Sequence, residues 1–550
     1  MIEWSQLRGQ KILTWLFALA LGAIFGAAIW MRVTSLKTAP VPTGDEAVYA
    51  VMAGRLVQGR SVSLWTASGH LLSPFLLALQ IPLVWAFEPS YTVLRLPIAA
   101  CGILTVFLTY VFAARALDRP TALIASGLLA VLPIAIIFSR IEWEPGLIPL
   151  WSVLCLYLAM RARRLALLGM FVVGVYFVHP TTLLLAPILV CVLTAALLCD
   201  SARPWVLRWR SVLVSAAGAA AVVLPIALAH RGSPQANWTR TTYHFGPADW
   251  GKYFTLFKNM CLGLCGGVQT ATTPPRWQGW LFWGVVASVL VAGTWRLVRC
   301  KQWARLALVG SVVASALGLH LVEGPEILSP ELVRYGIFLL VPSALAFACL
   351  VQSLLVVPAT PRLVLVRNAQ VAALLVMAVA LLVCAHYTWF DVFLFQSRGR
   401  ERFLTLPGGT IDPNQRVSKI ILKDLDSWGG VPPEGALPGR DKHLIVTEDW
   451  WRWRPIQFFT LWRNDVKVVN LESEPPANRE RIVLRALETG SYVVSVGNPV
   501  IDHIVLAAYP FRAIRHWHVQ VGYHPVYSIY RLRRQGEPIT DRCFCQWVAL

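Results

Sequence analysis

The stretch TGDEAVYA, residues 43–50, places two acids side by side shortly after the first long apolar run of the chain. A carboxylate whose pKa is raised by desolvation and a neighbouring charge is a suitable general base. Asp45 and Tyr49 are spaced so that a helix starting at Gly44 would present both on one face. We therefore predict Asp45 as a catalytic base and Glu46 as its structural or acceptor-contacting partner, with Tyr49 binding substrate.

The same two acids have a purely structural interpretation. An Asp at a helix N-cap, followed by a Glu in the first turn, stabilises a helix by about 1 kcal/mol. An ionisable residue at membrane depth is more often functional than structural. From the residues alone, capping and catalysis have equal support.

Several cations in the same group of loops could bind an anion such as a phosphate. Arginine offers a planar fork of donors, and lysine offers a point charge. The alternative for each is an interfacial cation that reaches lipid head groups, which we prefer for Lys252. The predicted substrate-binding set is His70, Arg140, Lys252, and Arg334 with its neighbour Tyr335.

Glu142 and Glu144 flank Trp143 in a very short loop. We expect one of the two acids to cap the following helix. Acids from separate loops could share a divalent cation. Because no single stretch has the spacing of a metal motif, no metal ligand and no certain cofactor are assigned.

The elements that must position these residues are membrane helices. The 550 residues are 56% hydrophobic and only 14% charged, whereas soluble domains average about 25% charged residues. We predict about eleven transmembrane helices within residues 1–390, with large outer loops at 32–93 and 231–276. The apolar segments are 12–31, 94–114, 121–138, 145–160, 165–178, 180–199, 211–230, 277–295, 305–321, 335–357 and 368–386.

The orientation follows from short basic connectors between alternate segments, which the positive-inside rule assigns to the cytoplasm. Residues 165–178 would span only about 21 Å as a helix. A hinge at His179-Pro180 keeps the basic groups on both sides of this region in the cytoplasm. We thus expect an integral protein of the inner (plasma) membrane, with a cytoplasmic N-terminus and an extracytoplasmic C-terminal domain.

After a linker at 391–412, residues 413–550 have the charge density of a soluble domain. The segment 397–550 holds 21 of the 49 basic and 16 of the 29 acidic residues. Strand patterns at 442–448, 466–470, 491–497 and 527–534 alternate with helical patterns at 450–463 and 478–490, which predicts a small α/β layer domain. No nucleotide-binding motif is present, and the location of the basic residues in connectors argues against a nucleic-acid partner.

Four stretches in this order resemble a known family: GDEAVYA after the first span, RLPIAACGILTVFLTYVFAARAL, SRIEWEPGLIPLWSVLCLYLAMRARR and VRYGIFLLVPSALAFA. Together they resemble the membrane glycosyltransferases of the GT-C fold. The most similar groups are the protein O-mannosyltransferases and the bacterial lipid A aminoarabinose transferases. The resemblance covers residues 1–386 and implies a polyprenyl-phosphate sugar donor and transfer on the outer face of the membrane. It also favours substrate binding by Arg140 and Arg334 and adds Glu144 to the predicted substrate-binding residues.

Two departures limit what the resemblance implies. The aminoarabinose transferases have an arginine three positions after the Asp of the first motif, where this chain has Val48. Their downstream Lys-Pro-Pro is replaced by GHLLSP, which leaves His70 as the nearby cation. The sugar and the acceptor, whether protein, glycan or lipid, are therefore not inferred from that group.

The resulting hypothesis is an inverting glycosyltransferase with membrane-lipid contacts and Asp45 as general base. The first alternative is a secondary transporter or flippase for a lipid-linked sugar, which should show repeated halves and charges near the middle of the membrane. A non-catalytic protein that binds sugar lipids is a further alternative, and only an activity measurement separates it from the enzyme.

Overall fold

The computed structural model shows two compact units. One contains residues 1–34, 63–76 and 96–392, and the other contains residues 35–62, 77–95 and 393–550. The structure describes residues 2–34, 36, 46–62, 72–87, 90–199, 276–323, 333–355, 411–427, 443–448, 450–463, 465–495, 499–509, 513–521 and 524–533, with six isolated positions between 209 and 221.

Helices account for the elements described before residue 356. In chain order they are α1 (Ile2–Val33), α2 (Glu46–Val57), α3 (Pro74–Ala86), α4 (Tyr91–Ala116), α5 (Arg119–Val131), α6 (Pro133–Phe138), α7 (Ile148–Met160), α8 (Arg164–Val173), α9 (Ala186–Leu198), α10 (Arg276–Arg299), α11 (Trp303–Glu323) and α12 (Leu340–Leu355). Short 3₁₀ turns precede α7, α9 and α12 at Glu144–Leu147, Pro180–Leu185 and Val333–Leu339.

Within the described residues, three helical stretches are long and apolar enough to cross a membrane: Tyr91–Ala116, Pro180–Leu198 and Gly336–Leu355. Large apolar side chains on the first unit are exposed, among them Trp15 (76%) and Leu165 (87%), as a lipid-facing surface requires. The total of about eleven spans stays a prediction. Segment 368–386 and nearly all of 211–230 lie outside the described residues.

The predicted break at His179-Pro180 is present. Helix α8 continues into a π-helical turn over Gly174–Val178, and His179 is extended, with φ −166° and ψ 139°. The His179 ring then accepts a hydrogen bond from the backbone N–H of Thr181 at 3.1 Å. This histidine caps the 3₁₀ turn that leads into α9, which agrees with its interpretation as a hinge residue.

Two predicted spans are less regular than expected. Segment 121–138 is divided between α5 and α6 because Leu132, which precedes Pro133, is extended. Segment 335–357 opens with the 3₁₀ turn Val333–Leu339 before α12 begins. The described residues of the first outer loop, 32–93, include the helices α2 and α3.

The second unit contains a five-stranded mixed sheet. Its elements are α13 (Ile411–Ser427), β1 (His443–Thr447), α14 (Trp450–Phe459), β2 (Val466–Asn470), α15 (Pro476–Glu488), β3 (Tyr492–Ser495), α16 (Pro499–Ala508), β4 (Ile514–Val521) and β5 (His524–Leu532). The strand order is β2-β1-β3-β5-β4, in which β1 pairs in parallel with β2 and β3, and β5 pairs antiparallel with β3 and β4.

Helices cover both faces of this sheet, which gives three layers. Ile445 and Val494 belong to the core beneath α13 and α14, whereas Val446 and Val493 belong to the core beneath α15 and α16. Successive strand residues point to opposite faces, so the apolar pairs in β1 and β3 supply both cores.

Helix α2 packs against α14 within the same unit. A Cβ atom added to Gly54 would lie 2.0 Å from Leu461 Cδ2, so a glycine permits this approach. The Gln58 side chain donates a hydrogen bond to the Leu461 carbonyl at 2.9 Å. The Tyr91 and Phe459 rings meet edge to face at 5.2 Å. Elements from the first outer loop thus share a packed interior with the α/β layers.

Candidate active site

The acidic motif stands at the first turn of α2. This helix begins at Glu46, and every residue from Glu46 to Gly54 is buried. Asp45, which directly precedes the helix, lies outside the described residues, so its shared face with Tyr49 stays a prediction. Tyr49 itself is 2% exposed, which places its side chain in the packed interior.

Glu46 forms a fully buried ion pair with Arg95 near the start of α4. Both side chains have zero exposure. Arg95 donates from Nε to Glu46 Oε1 and from Nη2 to Oε2, each at 2.9 Å. This two-point geometry is the strongest arrangement available to an arginine and a carboxylate. It supports the structural alternative for Glu46, while direct contact of Glu46 with an acceptor stays a prediction.

The Arg95 guanidinium reaches a second part of the chain. Its Nη1 donates to the backbone carbonyl of Leu36 at 2.9 Å, and its Cζ lies 5.9 Å from the centre of the Tyr91 ring. The first turn of α4 is held in place by Gln80, whose amide donates to the Leu94 carbonyl at 2.7 Å. Sequence reasoning did not select Arg95, although an arginine inside an otherwise apolar span was the available signal.

Arg140 was predicted to bind phosphate, but the structure gives its donors another role. This fully buried side chain donates from Nη1 to the Met31 carbonyl and from Nη2 to the Thr34 carbonyl, both at 2.6 Å. Carbonyls in the last turn of a helix have no partner within the helix. Arg140 therefore caps the C-terminal end of α1.

A second buried arginine, Arg32, was also missed by sequence reasoning. It donates to the carbonyls of Leu129 at 2.8 Å and Ala130 at 3.2 Å. These acceptors lie in the last turn of α5, so Arg32 satisfies that helix end as Arg140 satisfies the end of α1. Its position directly after the apolar segment 12–31 was the signal that could have identified it.

The acids beside Arg140 are buried as well. Glu142 has zero exposure, and Glu144 has 5%. The residue at the N-cap of the following 3₁₀ turn is Trp143, with no capping bond from its side chain. The expectation that one of the two acids caps this turn is wrong, because Glu144 is already the first residue inside it.

A close approach explains the glycine that follows these acids. A Cβ atom added to Gly146 would lie 2.6 Å from the Phe138 carbonyl oxygen. That contact is with backbone, which cannot move aside as a side chain could. The SRIEWEPG loop is therefore compact.

The remaining predicted residues are not described at the side-chain level. His70 and Lys252 lie outside the described residues. Arg334 and Tyr335 belong to the 3₁₀ turn Val333–Leu339, and their side chains are outside the described part. Among the described residues, no cluster of three or more His, Cys, Asp or Glu side chains could hold a metal ion. The divalent cation stays a prediction.

No protein-family model matches the chain, and no curated protein matches it. Solved structures do match. ArnT from Cupriavidus metallidurans bound to undecaprenyl phosphate is 14% identical over 94% of this chain and 97% of that chain, with a TM-score of 0.52. The apo form of the same protein gives 14% identity, 95% and 98% coverage, and a TM-score of 0.51.

ArnT is a lipid A aminoarabinose transferase with the GT-C fold. This chain has the GT-C fold. The fold implied by the four sequence motifs is thereby confirmed. The GT-C neighbours are polytopic membrane proteins, and the described part of this chain has three helices long and apolar enough to cross a membrane. An oligosaccharyltransferase from Archaeoglobus fulgidus also matches, at 13% identity, 95% coverage of this chain, 75% coverage of that chain and a TM-score of 0.47.

Proposed function

We propose that this protein transfers a sugar from a polyprenyl-phosphate donor to an acceptor at the outer face of the membrane. The observation that carries the proposal is the likeness along almost the whole chain to ArnT bound to undecaprenyl phosphate. The motif GDEAVYA after the first apolar segment supports it, since Asp45 supplies a carboxylate of the kind that a general base for an acceptor hydroxyl requires.

In the proposed reaction the acceptor oxygen attacks the anomeric carbon of the sugar. The bond from that carbon to the phosphate oxygen breaks, and its electron pair leaves with the polyprenyl phosphate. Asp45 takes the proton of the acceptor hydroxyl. One displacement of this kind inverts the configuration at the anomeric carbon, and the departing phosphate needs cations more than it needs a proton.

The cations proposed for that phosphate are Arg334, His70 and Lys252. Tyr335, the neighbour of Arg334 in the chain, is proposed to bind the substrate as well. Arg140 is less suited because its terminal nitrogens donate to the end of α1. Glu144 is proposed as a secondary substrate contact. The acceptor is a protein, a glycan or a lipid, and the C-terminal α/β layers are proposed to lie outside the cytoplasm.

The test is sugar transfer by the purified protein from a panel of labelled polyprenyl-phosphate sugars. The Asp45→Asn variant should lower kcat by about 10²- to 10⁴-fold, the range that general-base catalysis contributes. Its KM for the donor should change little, because the amide has the same shape. Asp426→Asn, at a carboxylate that is 65% exposed, is the matched control.

Transfer by Asp45→Asn at the wild-type rate would contradict the assignment of the base. Movement of a lipid-linked sugar across the membrane without transfer would favour the flippase alternative. Orientation is tested separately with a phosphatase reporter fused after residue 550, which should be active only if that end lies outside the cytoplasm.

A further inference from the structure

One guanidinium contacts the chain on both sides of the segment that carries Asp45. Arg95 donates to the Leu36 carbonyl before the segment and to the Glu46 carboxylate after it. Between these two described residues the chain runs from 37 to 45. A single side chain thus fixes the spacing between the two ends of this segment.

Stability alone is a weak reason for this arrangement. Removing a guanidinium and a carboxylate from water costs several kcal/mol per ion, and apolar replacements of a buried pair are often as stable or more so. Arg95 and Glu46 have zero exposure, and α4 is otherwise an apolar helix. The position of this pair, next to Asp45 in the chain, is the reason to consider a geometric role for it.

Contacts with Leu461 hold the C-terminal half of α2 in place. Gly54 lies against Leu461, and Gln58 is bonded to the Leu461 carbonyl. The helix is fixed near its C-terminal end by these contacts and at its first residue by Arg95. Asp45 directly precedes that first residue in the chain.

We propose that Arg95 is a positioning residue, which fixes Leu36 and Glu46 and thereby holds the proposed base Asp45 at the reacting atoms. This inference rests on the proposed function. Positioning of a reacting group affects the rate of the chemical step more than substrate binding, and small displacements cost about 10²-fold in rate.

The decisive variant is Arg95→Lys, which keeps the positive charge. A lysine presents its donors on one nitrogen and cannot form a fork on Glu46 while bonding Leu36. We expect kcat per folded molecule to fall by about 10- to 100-fold with little change in the donor KM. The matched control is Arg531→Lys, the same change at another fully buried arginine–carboxylate pair, which should leave kcat near the wild-type value.

Hydrogen exchange over residues 37–48 tests the inference without relying on activity. Amides in this region should exchange faster in Arg95→Lys than in the wild type and the control, because local opening becomes easier. Unchanged exchange, or exchange at the intrinsic rate already in the wild type, overturns the inference. If the wild-type protein transfers no sugar, the proposed function is wrong. The hydrogen-exchange rates still show whether Arg95 holds residues 37–48 in place.

A second variant applies if Arg95→Lys does not fold. The double variant Arg95→Met, Glu46→Met replaces the pair with apolar side chains, a change that proteins often tolerate. This double variant should fold, its amides over 37–48 should exchange faster than those of the wild type, and its kcat should be lower. A folded double variant with the wild-type kcat and slow exchange would overturn the positioning role.

Discussion

Two carboxylates in the second unit are paired with buried arginines in different ways. Asp424 on α13 accepts hydrogen bonds from side chains on three strands: Tyr492 of β3 at 2.7 Å, Arg515 of β4 at 3.1 Å and Arg531 of β5 at 2.9 Å. Glu46 is held by both ends of the fork of Arg95, whose remaining nitrogen bonds the Leu36 carbonyl.

The two pairs differ in what they hold together. One supports the fold of the domain, and the other supports the candidate site. Asp424 joins a helix to a sheet through several donors, so the loss of one donor leaves others in place. Arg95 joins two points of the chain that flank the proposed base, so one substitution removes both contacts. The first arrangement is expected to govern stability, and the second is expected to govern rate.

The largest expected effect on stability is that of Asp424→Asn. The change leaves the guanidinium of Arg531 buried without its negative partner, which typically costs about 3–5 kcal/mol. Thermal unfolding of the full chain in detergent should show a markedly lower midpoint, while sugar transfer per folded molecule stays near the wild-type rate. If Asp424→Asn unfolds at the wild-type midpoint but transfers sugar more slowly, the two carboxylates do not differ in role as expected.

A smaller effect is expected where α2 meets α14. Gly54→Ala would place a methyl group onto Leu461 Cδ2, and overpacking of this kind costs about 1–3 kcal/mol. Adding Leu461→Ala should remove the clash, so the double variant should be more stable than additivity predicts. Thermal midpoints of the two single variants and the double variant provide the test.

The matched control for that cycle is Gly169→Ala on α8. A Cβ atom at Gly169 has no neighbour within 4 Å, and alanine is the better helix former there by about 1 kcal/mol. This variant should be as stable as the wild type or slightly more so. Equal destabilisation by the two glycine substitutions would mean that contact with Leu461 is not the cause.

The smallest effect concerns acid pH and the sheet face opposite Asp424. Burial, followed by the neighbouring His518, lowers the pKa of His516 to about 4 from an ordinary value of 6.5. Its ring stacks on Tyr530 at 4.5 Å, and the Tyr530 hydroxyl donates to Asp502 at 2.9 Å. The folded state therefore keeps His516 neutral at pH values where the unfolded chain binds a proton.

The sign of the pH dependence follows from that difference in protonation. The contribution of His516 to stability is complete above about pH 6.5 and is lost as the pH falls towards 4. The thermal midpoint of the wild type should decrease over this interval, and that of His516→Gln should decrease less. Parallel decreases for both proteins would show that other groups control the acid response.

Several helices and strands of this chain could be predicted from local sequence patterns whose physical cause is known. The helical break at His179 follows from proline chemistry, and strands β1, β2, β3 and β5 follow from short apolar runs rich in valine and isoleucine. Strand β4, with the sequence IRHWHVQV, was not predicted, although Trp517, Val519 and Val521 alternate with polar residues as in a half-buried strand. The order of strands depends on pairing between distant segments, which periodicity does not encode.

The candidate site was predictable only in part for the same reason. Asp45 and Glu46 could be selected because adjacent acids near a membrane span are unusual. Arg95 could be selected only by asking what an arginine near the start of a mostly apolar helix contacts. That contact is with Glu46, 49 positions earlier in the chain. Assignment of Arg140 to phosphate stays a prediction, and sequence alone could not show that its terminal nitrogens donate to backbone carbonyls.

The bond between Gln58 and the Leu461 carbonyl joins residues 403 positions apart. At ribosomal rates of about 5–20 residues per second, helix α2 is made roughly 20–80 s before its packing partner. During that interval the growing chain contains the acidic motif but lacks Leu461, the residue against which α2 packs. Competence to act on a lipid-linked sugar would then arise late in biosynthesis, once the chain beyond residue 461 has been made and folded.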